Sequence, residues 1–196
     1  ITSNLAFTST TAASSGENTV TFNTLAQGTY TGKTITVTDA AGNVSNTLTI
    51  PNFVIDTTAP VISPETAITT PGNDTTPSFE FSTNKAGTIT SSLAFTSTTA
   101  ATVGNNTVTF NTLAEGTYTG KNIIVTDAAG NVSNHLIIAD FVIDTTAPVL
   151  TLTGANPLPA ELGTAFTDPG ATSNGGETVS VSGTVNKDVI GDYTLT

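Results

Sequence analysis

Polar and apolar residues alternate along most of this chain. Thr19-Val20-Thr21-Phe22 and Thr107-Val108-Thr109-Phe110 set Val and Phe on one side and Thr on the other, as a strand with one buried face requires. Residues 33–38 (Lys-Thr-Ile-Thr-Val-Thr) follow the same rule and run into Asp39-Ala40-Ala41-Gly42-Asn43, a reversal where Gly and Asn accept positive φ. A strand is expected over 44–55 and again over 132–143. Thr, a good strand former with a water-facing hydroxyl, dominates the composition. No window carries a helical period. Short strands with turn signals every 8–12 residues predict an all-β fold of the sandwich type.

The pattern then repeats. Residues 1–61 align without a gap on residues 89–149, an offset of 88, and differ at 11 positions: 4, 14, 15, 17, 27, 34, 36, 47, 49, 51 and 52. Duplication of one folding unit accounts for this, and the unit has the size of an Ig-type sandwich rather than of a solenoid repeat. The three Tyr all stand two residues after a Gly: Gly28-Thr29-Tyr30, Gly116-Thr117-Tyr118 and Gly191-Asp192-Tyr193. Either each hydroxyl ties back to nearby backbone, as in the tyrosine corner of Ig-like sandwiches, or the rings are half-buried on a strand face. Both alternatives count three domains, which predicts tandem Ig-like β-sandwich domains in an elongated array. Residues 1–56 are expected to be a partial domain, its C-to-G half. Residues 57–144 are expected to be complete, with strands A near 60–68, B at 78–82, C at 88–95, a short D near 98–103, E at 107–113, F at 121–127 and G at 132–143. Residues 145–196 are expected to be a partial A-to-F domain.

Charge and composition narrow the functions. Four Lys and no Arg stand against 15 Asp plus Glu, a net charge of −11. Nucleic acid and anionic membranes are poor partners for such a chain, because phosphate recognition leans on Arg forks and basic patches. No apolar run reaches the roughly 18–20 residues that span a bilayer. Cys is absent, which removes disulfides, thiolate metal sites and Cys nucleophiles. With no Met even at position 1, the chain is expected to be a processed or cut piece of a longer one.

Asp56-Thr57-Thr58-Ala59-Pro60-Val61 and Asp144-Thr145-Thr146-Ala147-Pro148-Val149, with the Asp-x-Ala-Gly-Asn turns ending at Asn43 and Asn131, resemble the Ig-like repeats of large bacterial surface adhesins and surface-layer proteins. The resemblance covers residues 1–149. The stretch Leu162-Gly163-Thr164-Ala165-Phe166-Thr167-Asp168-Pro169-Gly170-Ala171 resembles a second Ig-like family, found in crystal toxins and cell-surface proteins. That family follows it with an acidic loop; here Ser173-Asn174-Gly175-Gly176-Glu177 stands instead. The resemblance implies an extracellular, cell-surface structural or adhesive protein: a stalk, a surface layer or a filament. Its partners would be neighbouring Ig-like domains or subunits of the same protein, glycans or cell surfaces.

Calcium at the joints is the candidate cofactor. In an Ig-type sandwich the F–G turn lies where the chain comes in, so Asp127 and Asn131 should approach Asp56. Asp74, with Asn73 and Glu115, should lie near Asp144 at the other end. Oxygen clusters of this kind suit a cation that takes six to eight oxygens; alternatively Asp39 and Asp127 only bond the amides of their own turns. No catalytic residue is expected. His135, the single His, has Thr47 in its place in the first copy, so it is expected to face solvent. No nucleophile-elbow, zinc-protease or P-loop pattern occurs. Asn43, Asn73, Asn105 and Asn131 fit the glycan-acceptor pattern in or beside loops. Two other functions stay open: a carbohydrate- or ligand-binding module of a larger secreted enzyme, and an assembly in which one subunit's strands complete another's end domain.

Overall fold

The computed structural model describes residues 1–9 and 11–196, and among them there is no helix, so none is long and apolar enough to cross a membrane. The chain divides into two units, Ile1–Asp144 and Thr145–Thr196.

The first unit opens with β1 (Thr2–Ser3), β2 (Gly28–Tyr30), β3 (Lys33–Thr36), β4 (Leu48–Ile50) and β5 (Phe53–Ile55). One sheet has the order β1-β3-β4, and β2 pairs separately with β5. Residues 57–144 add β6 (Ile62–Thr66), β7 (Ser78–Thr83), β8 (Gly87–Ser91), β9 (Ala100–Ala101), β10 (Gly104–Thr109), β11 (Gly116–Tyr118), β12 (Asn122–Thr126), β13 (Leu136–Ile137) and β14 (Phe141–Ile143). They form a sheet β10-β7-β6, a sheet β13-β12-β8-β9 and the pair β11-β14. The last two strands, β15 (Leu150–Leu152) and β16 (Ala171–Ser173), pair with each other in the second unit.

The core lies wholly between Ile62 and Ile143. Period-2 alternation puts Phe79 and Phe81 of β7 inward at 2% and 0% exposure and leaves Ser78 and Glu80 outside. Ile123 and Val125 of β12, Val108 of β10, and Phe110 meet them from the other strands, each at 0%. Burying each such side chain contributes about 1.5–3 kcal/mol. Gly87 lets β8 come close to β12: a Cβ there would collide with the Thr126 carbonyl and the Val125 side chain.

The first copy repeats the pairing without the burial. Gly28, Thr29 and Tyr30 face Ile55, Val54 and Phe53 in the register in which Gly116, Thr117 and Tyr118 face Ile143, Val142 and Phe141. Residues 1–56 contain no counterpart of β6 and β7, so the sheet that presses on Ile123 and Val125 has no equivalent over Ile35 and Val37. Leu5 is the buried hydrophobic of this stretch.

Three expectations about strands change. The strand expected at 19–22 is reduced to a bridge between Phe7 and Phe22; its copy becomes β10 because β7 lies alongside to pair with it. The strand expected over 132–143 is two strands, since β13 pairs with β12 and β14 with β11. The chain changes sheets at Ala139-Asp140, and in the first copy at Pro51-Asn52, where Pro has no amide to donate. Strand β9, within the short D expected near 98–103, pairs with β8. In 145–196 the strands beyond β15 and β16 do not form, and no residue there is fully buried.

Candidate functional site

Where the linker meets the middle sandwich, one Lys and two Asp come together. The turn after β12 is built on Asp127. Its Oδ1 accepts the Ala129 and Asn131 amides, each at 2.9 Å, and its backbone amide donates to the Asn131 carbonyl at 3.0 Å. Gly130, at φ +89°, completes the reversal. Asn131 Nδ2 donates to Asp127 Oδ2 and to the Asp56 carbonyl, both at 3.0 Å.

Lys85, in the turn between β7 and β8, reaches into this arrangement. Its ammonium donates to Asp127 Oδ2 at 2.7 Å, to Asp56 Oδ2 at 2.6 Å and to the Thr58 carbonyl at 2.6 Å. The Asp127 side chain is 4% exposed. Asp56 Oδ1 caps its own loop by accepting the Thr58 amide at 3.0 Å. The consequences for titration are uniform. The Lys85 ammonium, then Asn131, hold the Asp127 carboxyl far below the usual carboxylate range. Lys85 and the Thr58 amide lower Asp56. Asp127 and then Asp56 raise Lys85.

Around this cluster the linker is tied on both sides. Thr57 and Thr58 hydroxyls donate to Gln27 Oε1 of the first copy at 3.0 and 2.7 Å. Ahead, the Val61 amide donates to Asn84 Oδ1 at 2.8 Å. Pro60 is buried between these bonds.

Among the expected metal ligands, the structure brings Asp56, Asp127 and Asn131 together at this end, while Asp74 and Asp144, expected near each other at the other end, flank the bond between the Asp144 amide and Gly72 there. Asp74 Oδ1 accepts the Thr76 amide at 2.8 Å within its own loop, and the Asp144 amide donates to the Gly72 carbonyl at 2.9 Å. Among the described residues no three His, Cys, Asp or Glu converge to hold a metal. The position between the two carboxylates is taken by an ammonium, and this donor set fits a Lys rather than a calcium ion, which wants six to eight oxygens. In the first copy Asp39 makes the same turn bonds to Ala41, Asn43 and the Asn43 side chain. The turn therefore closes without Lys85, whose addition makes it a joint.

Lys85 belongs to no motif and has no counterpart in the other copy, because it lies between the repeated stretches 1–61 and 89–149. The available signal was its placement one residue after Asn84 in an otherwise cation-poor sequence. The tyrosines behave as corners: Tyr30, Tyr118 and Tyr193 donate to the carbonyls of Ala26, Ala114 and Val189 at 2.8, 2.9 and 3.0 Å. Tyr30 and Tyr118 also stack on Phe53 and Phe141, each pair with centroids 5.0 Å apart. His135 is exposed.

Residues 104–162 match the family described as bacterial Ig-like domain (group 3), and residues 150–196 match bacterial surface protein, Ig-like domain. Over residues 104–196 the chain is similar to Ig-like domains of bacterial surface proteins. No curated protein matches the chain. The group 3 match begins with β10, takes in the Asp127–Asn131 turn and runs through the second Asp-Thr-Thr-Ala-Pro linker at 144–148, while Asp56 and Lys85 lie outside it. Residues 16–61 repeat the sequence of 104–149 apart from the differences given above. Ig-like domains of this kind are surface-associated structural modules, and such families are generally non-catalytic.

Proposed function

We propose that this chain is an extracellular spacer: Ig-like sandwiches joined in tandem by Asp-Thr-Thr-Ala-Pro linkers, serving as a stalk, surface fibre or surface layer of a bacterial cell. The observation that carries this is the bonding of the linker. A flexible tether would be rich in Gly and Ser and free of contacts. Here Asp56 and Thr58 are held by Lys85, the Asp56 carbonyl by Asn131, and Thr57 and Thr58 by Gln27. Pro60 fixes its φ and removes a donor. A joint tied on both sides keeps direction, which a spacer needs and a ligand pocket does not. The acidic surface keeps neighbouring copies apart in solution.

The test uses spin labels on Thr29→Cys and Thr117→Cys, two exposed and equivalent positions in a chain that has no Cys of its own. Pulsed electron-spin spectroscopy should return one narrow distance distribution, which Lys85→Met broadens. A distribution already broad before that substitution would sink the spacer reading.

A further inference from the structure

The chain comes into the middle sandwich at Ile62 and leaves it after Ile143, and each end is bonded to a segment running in the same direction. At the incoming end the Ile62 amide donates to Asn134 Oδ1, and Asn134 Nδ2 donates back to the Ile62 carbonyl, both at 3.0 Å. At the outgoing end the Gly72 amide donates to the Val142 carbonyl at 3.0 Å and the Asp144 amide to the Gly72 carbonyl at 2.9 Å. The Val142 amide adds a bond to Thr70 Oγ1 at 2.9 Å. Gly72 and Ile143 form a parallel bridge. Residues 62–72 and 134–144 thus lie side by side and point the same way.

That direction decides how the sandwich responds to pulling. Tension along the chain draws Ile62 back by its N-terminal side and Asp144 forward by its C-terminal side. Two parallel segments pulled so must slide past each other, and the bonds at both ends stretch together. The antiparallel pair β6–β7 would instead open one rung at a time if its ends were drawn apart.

We infer that the middle sandwich is built to carry tension, with Asn134 and residues 70–72 as the clamp between the incoming and outgoing segments. The inference rests on the spacer reading for its biological setting. Asn134 serves it better than a backbone pairing alone, because one carboxamide grips both the amide and the carbonyl of Ile62. Resistance to force is set by the unfolding rate, so a clamp need not add much equilibrium stability to matter.

The experiment holds the whole chain by its two ends in a force spectrometer and follows the event that releases the length of residues 62–143. Asn134→Ala is expected to speed forced unfolding at a given load roughly tenfold, by removing both Ile62 bonds. Ile89→Ala, in the core on β8 and outside the clamp, should cost more in denaturant and accelerate forced unfolding less. Handles on Thr66→Cys and Ser78→Cys, which peel β6 from β7, should unfold the sandwich at markedly lower force. The clamp is overturned if the two alanine variants accelerate forced unfolding in proportion to their equilibrium losses, or if both pulling directions need equal force. These readouts concern one sandwich and the spin-label distances concern the joint before it, so either idea can fail alone.

Discussion

Lys85 faces two carboxylates and a carbonyl, and its charge decides what those groups do to stability. Replacing it by Met leaves Asp56 and Asp127 about the same point with no cation between them. The variant should melt lower than the parent at neutral pH, and the gap should narrow as pH falls, which a thermal series across pH would show. The sign follows from linkage. Asp127 and Asp56 have folded pKa values below the ordinary 3.8, so their contribution is whole above that value and declines as pH drops beneath it. Lys85 is raised above 10.5, so its contribution is whole below that pH and is lost as pH rises beyond it. Tyr118→Phe isolates a different bond. It keeps the stack on Phe141 and deletes the hydroxyl's bond to Ala114, at an expected cost of about 1 kcal/mol in urea unfolding. The recurrence of Gly-x-Tyr in each third of the chain was legible in advance, and the hydroxyl bonds decide between its two readings in favour of corners. The brace was not legible, since nothing local in Asn84-Lys85-Ala86 says which carboxylates a long side chain will reach.

Strands need partners, and the two copies of one sequence demonstrate it. Ile123 is fully buried beneath β7, whereas its counterpart Ile35 is half-buried. Ile123→Ala should cost about 2–5 kcal/mol, and Ile35→Ala distinctly less, as denaturant titrations of the two variants would register. The alternation that predicted a strand at 19–22 was a sound account of which side chains could face inward, yet it carries no information on whether a neighbour is present. In the strand expected over 132–143 the buried positions shift phase at the break, from Leu136 and Ile138 to Phe141 and Ile143. The sheet change there depends on β11 competing with β12 for pairing, a contest between elements distant in sequence. Strand existence in residues 57–144 was therefore readable, and sheet membership was not.

At the scale of the whole molecule, the family matches take in residues 104–196 and the 88-residue offset extends the likeness to residues 16–61, but both run out of phase with the core. The repeat covers 1–61 and 89–149, while the buried cluster draws on Ile62, Ile68, Phe79 and Phe81 from between the two copies. Residues 62–88 of the middle sandwich, 27 of its 88, are thus unique sequence. The joint carries a further expectation: with an ammonium between Asp56 and Asp127, adding a calcium chelator should leave the melting temperature unchanged, and calorimetric titration with Ca²⁺ should show no binding heat at this place. A chelator-induced drop would mean that oxygens other than these hold a cation.

The tyrosine corners also give the chain an optical label of its own. With no Trp, its near-ultraviolet dichroism and emission come chiefly from three phenols, one in each of 1–56, 57–144 and 145–196. Tyr30 and Tyr118 are held nearly parallel to Phe rings at interplanar angles of 6° and 8°, so their signals depend on stacks that exist only when β2 meets β5 and β11 meets β14. Changing any two of the phenols to Phe leaves a single chromophore, and the unfolding of each region can then be watched in turn within the intact chain.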